Sequence, residues 1–216
     1  MKKIASPLFQ DLSEAELDTL AAAGHLRTRQ FAKHEVIFRA GSCVREIGIV
    51  LRGSVHIENL DLWGTKGILS SAGAGQAFAE TYAFCGEALM VDAVAAEHCE
   101  ILFLHTAALT DARIEPALQD KLLRRLLAVS MRKNLSLSQR IFCTTPKTVR
   151  GRLLTYFSAQ AARCGRMEFE VPFNRQQMAD YLNLDRSALS KELCKMRDEG
   201  LLEFDKNRFV LKQLPE

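Results

Sequence analysis

The stretch from Phe173 to Met196, FNRQQMADYLNLDRSALSKELCKM, decides the fold of the C-terminal part of this chain. Its first half predicts a short helix whose inner face carries Met178, Ala179 and Leu182. Asn183 follows where a tight turn needs a left-handed residue, a conformation that asparagine tolerates. The helix therefore ends in a sharp turn.

A second helix follows this turn. Leu184 is expected to be buried in the turn, Asp185 is a favourable N-cap residue, and Leu189 and Leu193 lie four residues apart on the inner side of the helix. The small side chain of Ala179 allows the two helices to cross closely. Together these features predict a helix-turn-helix rather than an arbitrary helical hairpin.

The outward side of the second helix is polar and basic. Arginine and serine can hydrogen-bond to base edges in the major groove, and lysine can contact phosphate or guanine. A solvated surface helix could carry the same residues, but their position in the first turns after the bend favours DNA. The predicted DNA contacts on the two helices are Arg186, Ser187, Ser190, Lys191 and Lys195, together with Arg175 and Gln176.

The next segment, GLLEFDKNRFVL from residue 200 to 211, predicts two short strands joined by a basic turn. This is the pattern of a wing, in which Lys206 and Arg208 would contact phosphates. Residues 1–146 carry equal numbers of acidic and basic residues, so the whole formal net charge of +3 falls on residues 147–216. The charge distribution is consistent with a DNA-binding C-terminal end.

Residues 31–104 have a different pattern, with short apolar alternations separated by glycines. Frequent short strands with turn signals between them predict a small antiparallel barrel or sandwich. A helix from Ser13 to Ala23 precedes it, with Ser13 and Glu16 spaced as a capping box. The punctuating glycines are Gly41, Gly53, Gly64, Gly73 and Gly75.

A stretch without glycine or proline, residues 117–145, predicts one helix of about seven turns or more. It carries two apolar rows, of which one is expected to pack on the barrel and the other on the same helix of a second copy. The alternative is a helix packed wholly on its own domain. The rows are Leu122, Leu126 and Val129, and Leu123, Leu127, Ser130, Leu137 and Ile141. Pro146 interrupts the helix, so Thr144 to Lys147 is the predicted hinge.

Composition excludes several classes of protein. The chain has 216 residues, of which 48% are hydrophobic, so it can bury a core. No run is long and apolar enough to span a membrane or serve as a secretory signal, which predicts a cytoplasmic protein. The six cysteines form no CxxC pair, so we expect reduced and mostly buried thiols. No nucleophile elbow, P-loop, dinucleotide fingerprint or metal motif is present, so neither an enzyme nor a bound cofactor is expected.

A glycine-punctuated β-roll, a long central helix and a winged helix-turn-helix together resemble the Crp/Fnr family of transcription regulators, over residues 8–212. The resemblance implies an α+β fold with an N-terminal double-stranded β-helix (a β-roll of the cyclic-nucleotide-binding type) that senses an effector, a central dimerisation helix and a C-terminal DNA-binding domain. The expected boundaries are 1–115, 116–145 and 146–216. It also implies a homodimer formed through residues 116–143, a near-palindromic DNA site, and RNA polymerase as a partner.

Two positions of the reading helix match the family, because Arg186 and Lys191 stand where members carry basic residues that touch DNA. Ser187 departs from it, since better-known members have a glutamate there that accepts a hydrogen bond from cytosine. Serine lacks that charge, so the half-site with a TGA core is not expected to carry over.

The effector site also departs from the family. Cyclic-nucleotide-binding members use a Gly-Glu pair and an Arg-Ser or Arg-Thr pair. Residues 75–81 here keep Glu80, whereas residues 88–95 contain no arginine and Asp92 would repel a phosphate. A buried phosphate without a cationic partner is costly to desolvate, so cyclic AMP is not expected.

Other known sensing chemistries are not favoured either. The first cysteine is Cys43, so the N-terminal cysteine cluster of iron–sulfur members is missing. The five histidines are expected to be structural rather than haem ligands, and thiol sensing through Cys85 or Cys99 has no supporting neighbour beyond His98. An unknown small-molecule effector, less charged than cyclic AMP, is expected in a pocket near Lys133. Its candidate residues are Phe78, Ala79, Glu80, Thr81, Met90, Val91 and Asn134.

One alternative function stays open at this point. The chain could be a ligand-binding or redox-sensing interaction protein whose winged helix contacts another protein instead of DNA. Steep salt dependence of binding would separate DNA from a protein partner.

Overall fold

The computed structural model describes residues 4–60 and 66–212, so Gly64 lies outside the described residues. The chain forms two compact units, Met1–Arg132 and Lys133–Glu216. The helices are α1 (Glu14–Ala22), α2 (Glu80–Cys85), α3 (Pro116–Thr144), α4 (Val149–Cys164), α5 (Arg175–Leu182) and α6 (Arg186–Asp198). The strands are β1 (Leu26–Phe31), β2 (Val36–Phe38), β3 (Glu46–Arg52), β4 (Ser54–Leu60), β5 (Lys66–Gly73), β6 (Ala77–Phe78), β7 (Asp92–Ala95), β8 (Cys99–His105), β9 (Glu168–Glu170), β10 (Leu202–Asp205) and β11 (Arg208–Leu211).

The first unit contains two four-stranded antiparallel sheets, with strand orders β1-β8-β3-β6 and β2-β7-β4-β5. Their facing sides bury an apolar cluster that includes Phe31, Val50, Phe78 and Phe103. This arrangement confirms the predicted antiparallel roll. The glycine turns also behave as expected at Gly53, whose φ of +85° and whose approach to the His98 carbonyl oxygen leave no room for a side chain.

A second apolar cluster lies on the other side of the β1-β8-β3-β6 sheet. It joins Leu17 of α1, Ile49 of β3 and Leu104 of β8 to the first turns of α3. The predicted capping box of α1 is present, because the Ser13 hydroxyl accepts from the Glu16 amide and the Glu16 carboxylate accepts from the Ser13 amide. The apolar contacts of Leu17 hold α1 against the roll, and the capping box stabilises the start of the helix.

Helix α3 has 29 residues, which confirms the long helix. One of its predicted apolar rows is buried on the roll, with Leu122 and Leu126 in the core and Val129 packed against it. The other row is exposed except for half-buried Ser130, and it continues toward the end of the helix, as expected for a helix with more than one apolar face. The exposed apolar residues of α3 are Leu123, Leu127, Met131, Leu135, Leu137, Ile141 and Phe142.

The second unit contains the end of α3, helices α4 to α6 and a three-stranded sheet in the order β10-β11-β9. Its core is aromatic, with Tyr156, Phe157, Phe169 and Phe209 almost fully buried. Helix α4 ends at Cys164 and is followed by Gly165 in the left-handed conformation. The division between the two units falls between Arg132 and Lys133, which both lie within α3. The domain boundary at residue 146 stays a prediction.

The cysteines do not follow the expectation. All six are free, but Cys43, Cys85, Cys164 and Cys194 are exposed, and only Cys99 and Cys143 are buried. The prediction of mostly buried thiols was therefore wrong, because four of the six stand on the outer sides or at the ends of helices and turns. Within residues 4–60 and 66–212, no helix is long and apolar enough to cross a membrane.

Candidate nucleic-acid interface

Helix α5 is capped at its start and ends at the turn that the sequence predicted. Asn174 caps it by accepting from the Gln177 amide, and the Gln177 side chain accepts in return from the Asn174 amide. At its C-terminal end Asn183 has φ 53° and ψ 52°, the left-handed conformation. The amide of Leu184 then donates to the Ala179 carbonyl oxygen at 2.9 Å, which closes the turn.

Helix α6 is seated on α5 by a completely buried apolar contact. Met178, Ala179 and Leu182 of α5, and Leu189 and Leu193 of α6, have no exposed surface. A buried inner face fixes the rotation of a helix about its axis. The opposite face of α6 is consequently presented to solvent, as a helix that enters the major groove requires.

The outward face of α6 carries most of the predicted reading residues. Arg186, Ser187, Lys191 and Lys195 are exposed, whereas Ser190 is half-buried. Asp185 caps the helix, and its carboxylate accepts from the Ala188 amide at 2.9 Å and from the Ser187 hydroxyl. The first turn of α6 therefore displays a guanidinium group beside a serine held by a carboxylate.

Arg150 of α4 joins that helix to α6 from the side. Its guanidinium donates to Glu192 at 2.6 Å and to both carboxylate oxygens of Glu199 at 2.7 and 2.9 Å. The two carboxylates, Glu199 before Glu192, raise the pKa of Arg150. The sequence alone does not reveal this contact, because Arg150 is far from Glu192 and Glu199 in the chain and only the fold brings them together.

Two further arginines bind the C-terminal end of α5. Arg140 of α3 donates to the carbonyl oxygens of Tyr181 and Asp180, each at 3.0 Å. Arg152 of α4 donates to the carbonyl oxygens of Leu182 and Asn183 at 3.1 and 2.7 Å. The last carbonyls of a helix lack partners within it and carry partial negative charge, so two cations here stabilise the helix-turn-helix.

The wing is present as predicted. Strands β10 and β11 pair from Leu202↔Leu211 to Asp205↔Arg208, and Lys206 and Asn207 form the turn, with Lys206 at φ 50°. Lys206 is exposed at the tip. Arg208 is also exposed but forms an ion pair with Glu168 of β9, a strand that the sequence did not predict.

Arg175, at the start of α5, lies against the wing. Its guanidinium carbon is 4.9 Å from the ring centre of Phe204 and 5.1 Å from that of Phe209. Burial lowers its pKa. Arg175 and Lys206 line one cleft of about 490 Å³ with Phe173 and Asn174, whereas Gln176 is exposed and bonds to Asp180. The structure thus brings Arg175 and Lys206, two predicted DNA contacts, together. The Arg175 side chain also packs against the wing.

The candidate effector residues are more dispersed. Phe78 lies inside the roll, Ala79 has φ 61°, and Glu80 is 4% exposed at the start of α2. A cleft of about 240 Å³ between α2 and α3 is lined by Glu80, Thr81, Phe84, Cys85, Leu123, Leu126, Leu127 and Ser130. Met90 is 78% exposed, Val91 is half-buried, and Asn134 is exposed on α3. Among the described residues of the predicted set, Glu80 and Thr81 line this cleft.

The histidines lie in hydrogen-bonded or surface positions. His25 is buried and lies 2.7 Å from the Asp111 carboxylate, and His105 accepts from the Ala107 amide. His34 and His98 are exposed, and His56 lies beside Glu58. In the described part of the chain, no group of three His, Cys, Asp or Glu side chains could hold a metal ion.

The comparisons with known proteins agree with this geometry. The model of the cyclic nucleotide-binding domain matches residues 28–113, and that of the Crp-like helix-turn-helix domain matches residues 151–216. Together they cover more than half of the chain. The chain belongs to the Crp/Fnr family of transcription regulators, with an effector-binding domain followed by a helix-turn-helix DNA-binding domain.

Solved structures show the same fold over nearly the whole chain. The Thermus thermophilus catabolite activator protein is 25% identical, with a TM-score of 0.50 over 96% of this chain and 94% of that chain. FixK2 from Bradyrhizobium japonicum is 19% identical, with a TM-score of 0.50 over 87% and 93%. CprK complexed with OCPA is 13% identical, with a TM-score of 0.65 over 91% and 92%. No curated protein matches this chain.

Proposed function

We propose that this regulator binds DNA as a homodimer and reads a near-palindromic site with two copies of α6. The observation that carries the proposal is the outward face of α6, where Arg186, Ser187, Lys191 and Lys195 are exposed beside a wing with Lys206 at its tip. Arg186 would hydrogen-bond to a base edge, and the lysines would contact phosphate or guanine.

The exposed row of α3 supports the homodimer. Four residues form this exposed row at four-residue spacing, and each is about half exposed or more: Leu123, Leu127, Met131 and Leu135. A contiguous apolar surface of this length marks an interaction site in a soluble protein. A second α3 helix would cover it and set the distance between the two α6 helices.

The effector is proposed to be a small molecule other than cyclic AMP. The interior of the roll is filled by aromatic rings, with Phe38 5.8 Å from Phe78 and 5.6 Å from Phe103 between ring centres. Arginine is missing from residues 53–112 of the sequence, and Asp92 accepts from the Ala40 amide at 2.6 Å. A cyclic phosphate would therefore meet no arginine from residues 53–112, and Asp92 would repel it. The cleft lined by Glu80, Thr81 and the apolar side chains of α3 is the better candidate.

The effector would act by binding one arrangement of the dimer, the arrangement that can bind DNA, more tightly than the arrangement that cannot. Such coupling is typically about 1 to 3 kcal/mol. We also propose contact with RNA polymerase, which is inferred from the family alone. The alternative, a winged helix that contacts protein, predicts no charge-driven salt dependence with DNA.

Fluorescence anisotropy with a labelled target duplex and a random duplex tests the proposal. The logarithm of the association constant should fall linearly with the logarithm of salt concentration, with a slope of about −0.9 for each phosphate contact. Arg186→Ala should weaken target binding by about 1 to 3 kcal/mol, whereas Lys206→Ala should weaken both duplexes alike and lower the salt slope by about one. Equal losses on both duplexes for Arg186→Ala would contradict a base-reading role, and salt-insensitive binding would favour the protein partner.

A further inference from the structure

Among the four exposed predicted contacts of α6, Arg186, Lys191 and Lys195 are charged and Ser187 is not. The hydroxyl group of Ser187 is already engaged. It donates to Oδ1 of Asp185, the same oxygen that accepts from the Ala188 amide at 2.9 Å. The Ser187 hydroxyl and the Ala188 amide lower the pKa of Asp185, so this carboxyl is ionised at neutral pH. A carboxylate accepts hydrogen bonds and cannot donate one.

This pairing decides what Ser187 can offer to a ligand. A serine hydroxyl has one proton to donate and two lone pairs that accept. With the proton directed at Asp185, only the lone pairs of the Ser187 oxygen are available to an outside group. The adjacent carboxylate also makes that oxygen more negative, because hydrogen bonds in a chain polarise one another.

The neighbouring exposed side chains offer the opposite chemistry. Arg186, Lys191 and Lys195 donate hydrogen bonds and accept none. They therefore suit the acceptor atoms of guanine, thymine and phosphate. Among the exposed predicted contacts Arg186, Ser187, Lys191 and Lys195, Ser187 is the residue that can accept a hydrogen bond.

We propose that Ser187, with its proton held by Asp185, reads the exocyclic amino group of adenine or cytosine in the major groove. Asp185 acts as a positioning residue, and Ser187 contacts the base. The inference rests on the proposed function and deepens it, since it assigns a direction to one hydrogen bond of the reading helix. A serine whose proton were free could pair with donors or acceptors and would discriminate little.

The keto oxygens of guanine and thymine would be disfavoured at this position. Each presents an acceptor in the major groove where adenine or cytosine presents an amino group. An acceptor facing the Ser187 oxygen would leave two oxygens opposed beside the Asp185 carboxylate. Rejection of the wrong base adds to recognition of the right one, as specific interfaces generally require.

The test uses the full-length protein and a target duplex obtained by selection from a random library. All four base pairs are placed in turn at each position of one half-site, and affinities are measured for wild type, Ser187→Ala, Ser187→Thr and Asp185→Asn. At one position, wild type should prefer adenine or cytosine on one strand over guanine or thymine by about 5- to 150-fold. Ser187→Ala should abolish that preference, and Ser187→Thr, which keeps the hydroxyl, should retain it.

Asp185→Asn separates the positioning role from simple helix capping. Asparagine caps helices as well as aspartate does, so α6 should remain folded by circular dichroism. Its amide can donate to Ser187 as well as accept, which frees the serine proton, and the base preference should fall at least fivefold. Full discrimination in Asp185→Asn would overturn the role of Asp185.

Base analogues provide the atomic control. Replacing the preferred adenine by purine, or cytosine by pyrimidin-2-one, removes only the amino group. The loss in wild type should equal that of Ser187→Ala, with no further loss when both changes are combined. Unchanged base preference in Ser187→Ala, while Arg186→Ala relaxes preference elsewhere, would overturn this inference alone. A wild type without preference at any position would overturn the proposed function as well.

Discussion

The ring of Phe78 on β6 lies directly over Gly48 on β3, so close that a Cβ atom added to Gly48 would stand 2.2 Å from the Cζ atom of Phe78. The two residues face each other in the antiparallel pairing of these strands. The glycine is therefore required by the aromatic ring, and the ring fills the interior of the roll at the point where the chain turns into α2.

Replacing Gly48 by alanine should destabilise the first unit. The added methyl group must displace a ring that is 3% exposed and held by Phe38, and overpacking of this kind costs about 1 to 3 kcal/mol. Urea unfolding followed by circular dichroism measures the loss. Gly67→Ala is the matched control, because no atom of the described residues lies within 4 Å of its added Cβ, and its midpoint should hardly change. Equal midpoints for the two variants would show that Phe78 does not pack on Gly48.

Cyclic AMP should leave this protein unaffected. A ligand that binds the folded state at about 100 times its dissociation constant adds about 2.7 kcal/mol of stability. Because the roll is filled by Phe38, Phe78 and Phe103, we expect cyclic AMP at about 1 mM to leave the thermal midpoint unchanged. A midpoint that rises steadily with cyclic AMP concentration would contradict the proposed effector class.

A single charge on the exposed row of α3 should dissociate the dimer. Leu127 is 57% exposed, and Leu127→Glu would place an unpaired carboxylate in the proposed apolar interface, which is costly to bury. Sedimentation velocity should report a monomer. Ser136→Glu adds the same charge nine residues along the helix, on the opposite side, and should stay dimeric. If both variants sediment like wild type, the interface does not include this row.

The contact of Arg150 with Glu192 and Glu199 should hold α6 on α4. Arg150→Met keeps the aliphatic stem, removes the guanidinium and leaves two carboxylates without their partner, so the thermal midpoint should fall and target binding should weaken. Arg124→Met, at an exposed pair with Asp120 on α3, should have no measurable effect, because such surface pairs contribute little. Similar midpoints for both variants would mean that the Arg150 contacts add no more than a surface ion pair.

The sequence predicted the local features well because their causes are local. The Ser13–Glu16 box, the left-handed Asn183 and the Asp185 cap depend on residues within a few positions of one another, and all three are present. The burial of one apolar row of α3 also followed from its spacing. Features that join distant parts of the chain were missed, among them β9 and the Arg150 contacts with α6.

In the candidate sites too, features with local causes were predicted and features that depend on distant residues were not. The outward face of α6 could be identified because the buried residues of a helix determine which others are exposed. No local pattern indicates that Arg175 lies over Phe204 and Phe209, or that Arg208 pairs with Glu168, since both contacts depend on how the wing folds back. The cleft between α2 and α3 likewise results from tertiary packing, so spacing along the chain identified only Glu80 and Thr81 among its lining residues.

Selection of bound fragments from a random duplex library, with purified protein at near-physiological salt, tests the central claim most directly. We expect a near-palindromic motif whose half-sites lie about one helical turn apart, and a degenerate pool when Arg186→Ala is used instead. An asymmetric motif, or a pool from wild type as unselected as that from Arg186→Ala, would contradict a dimer that reads DNA with two copies of α6.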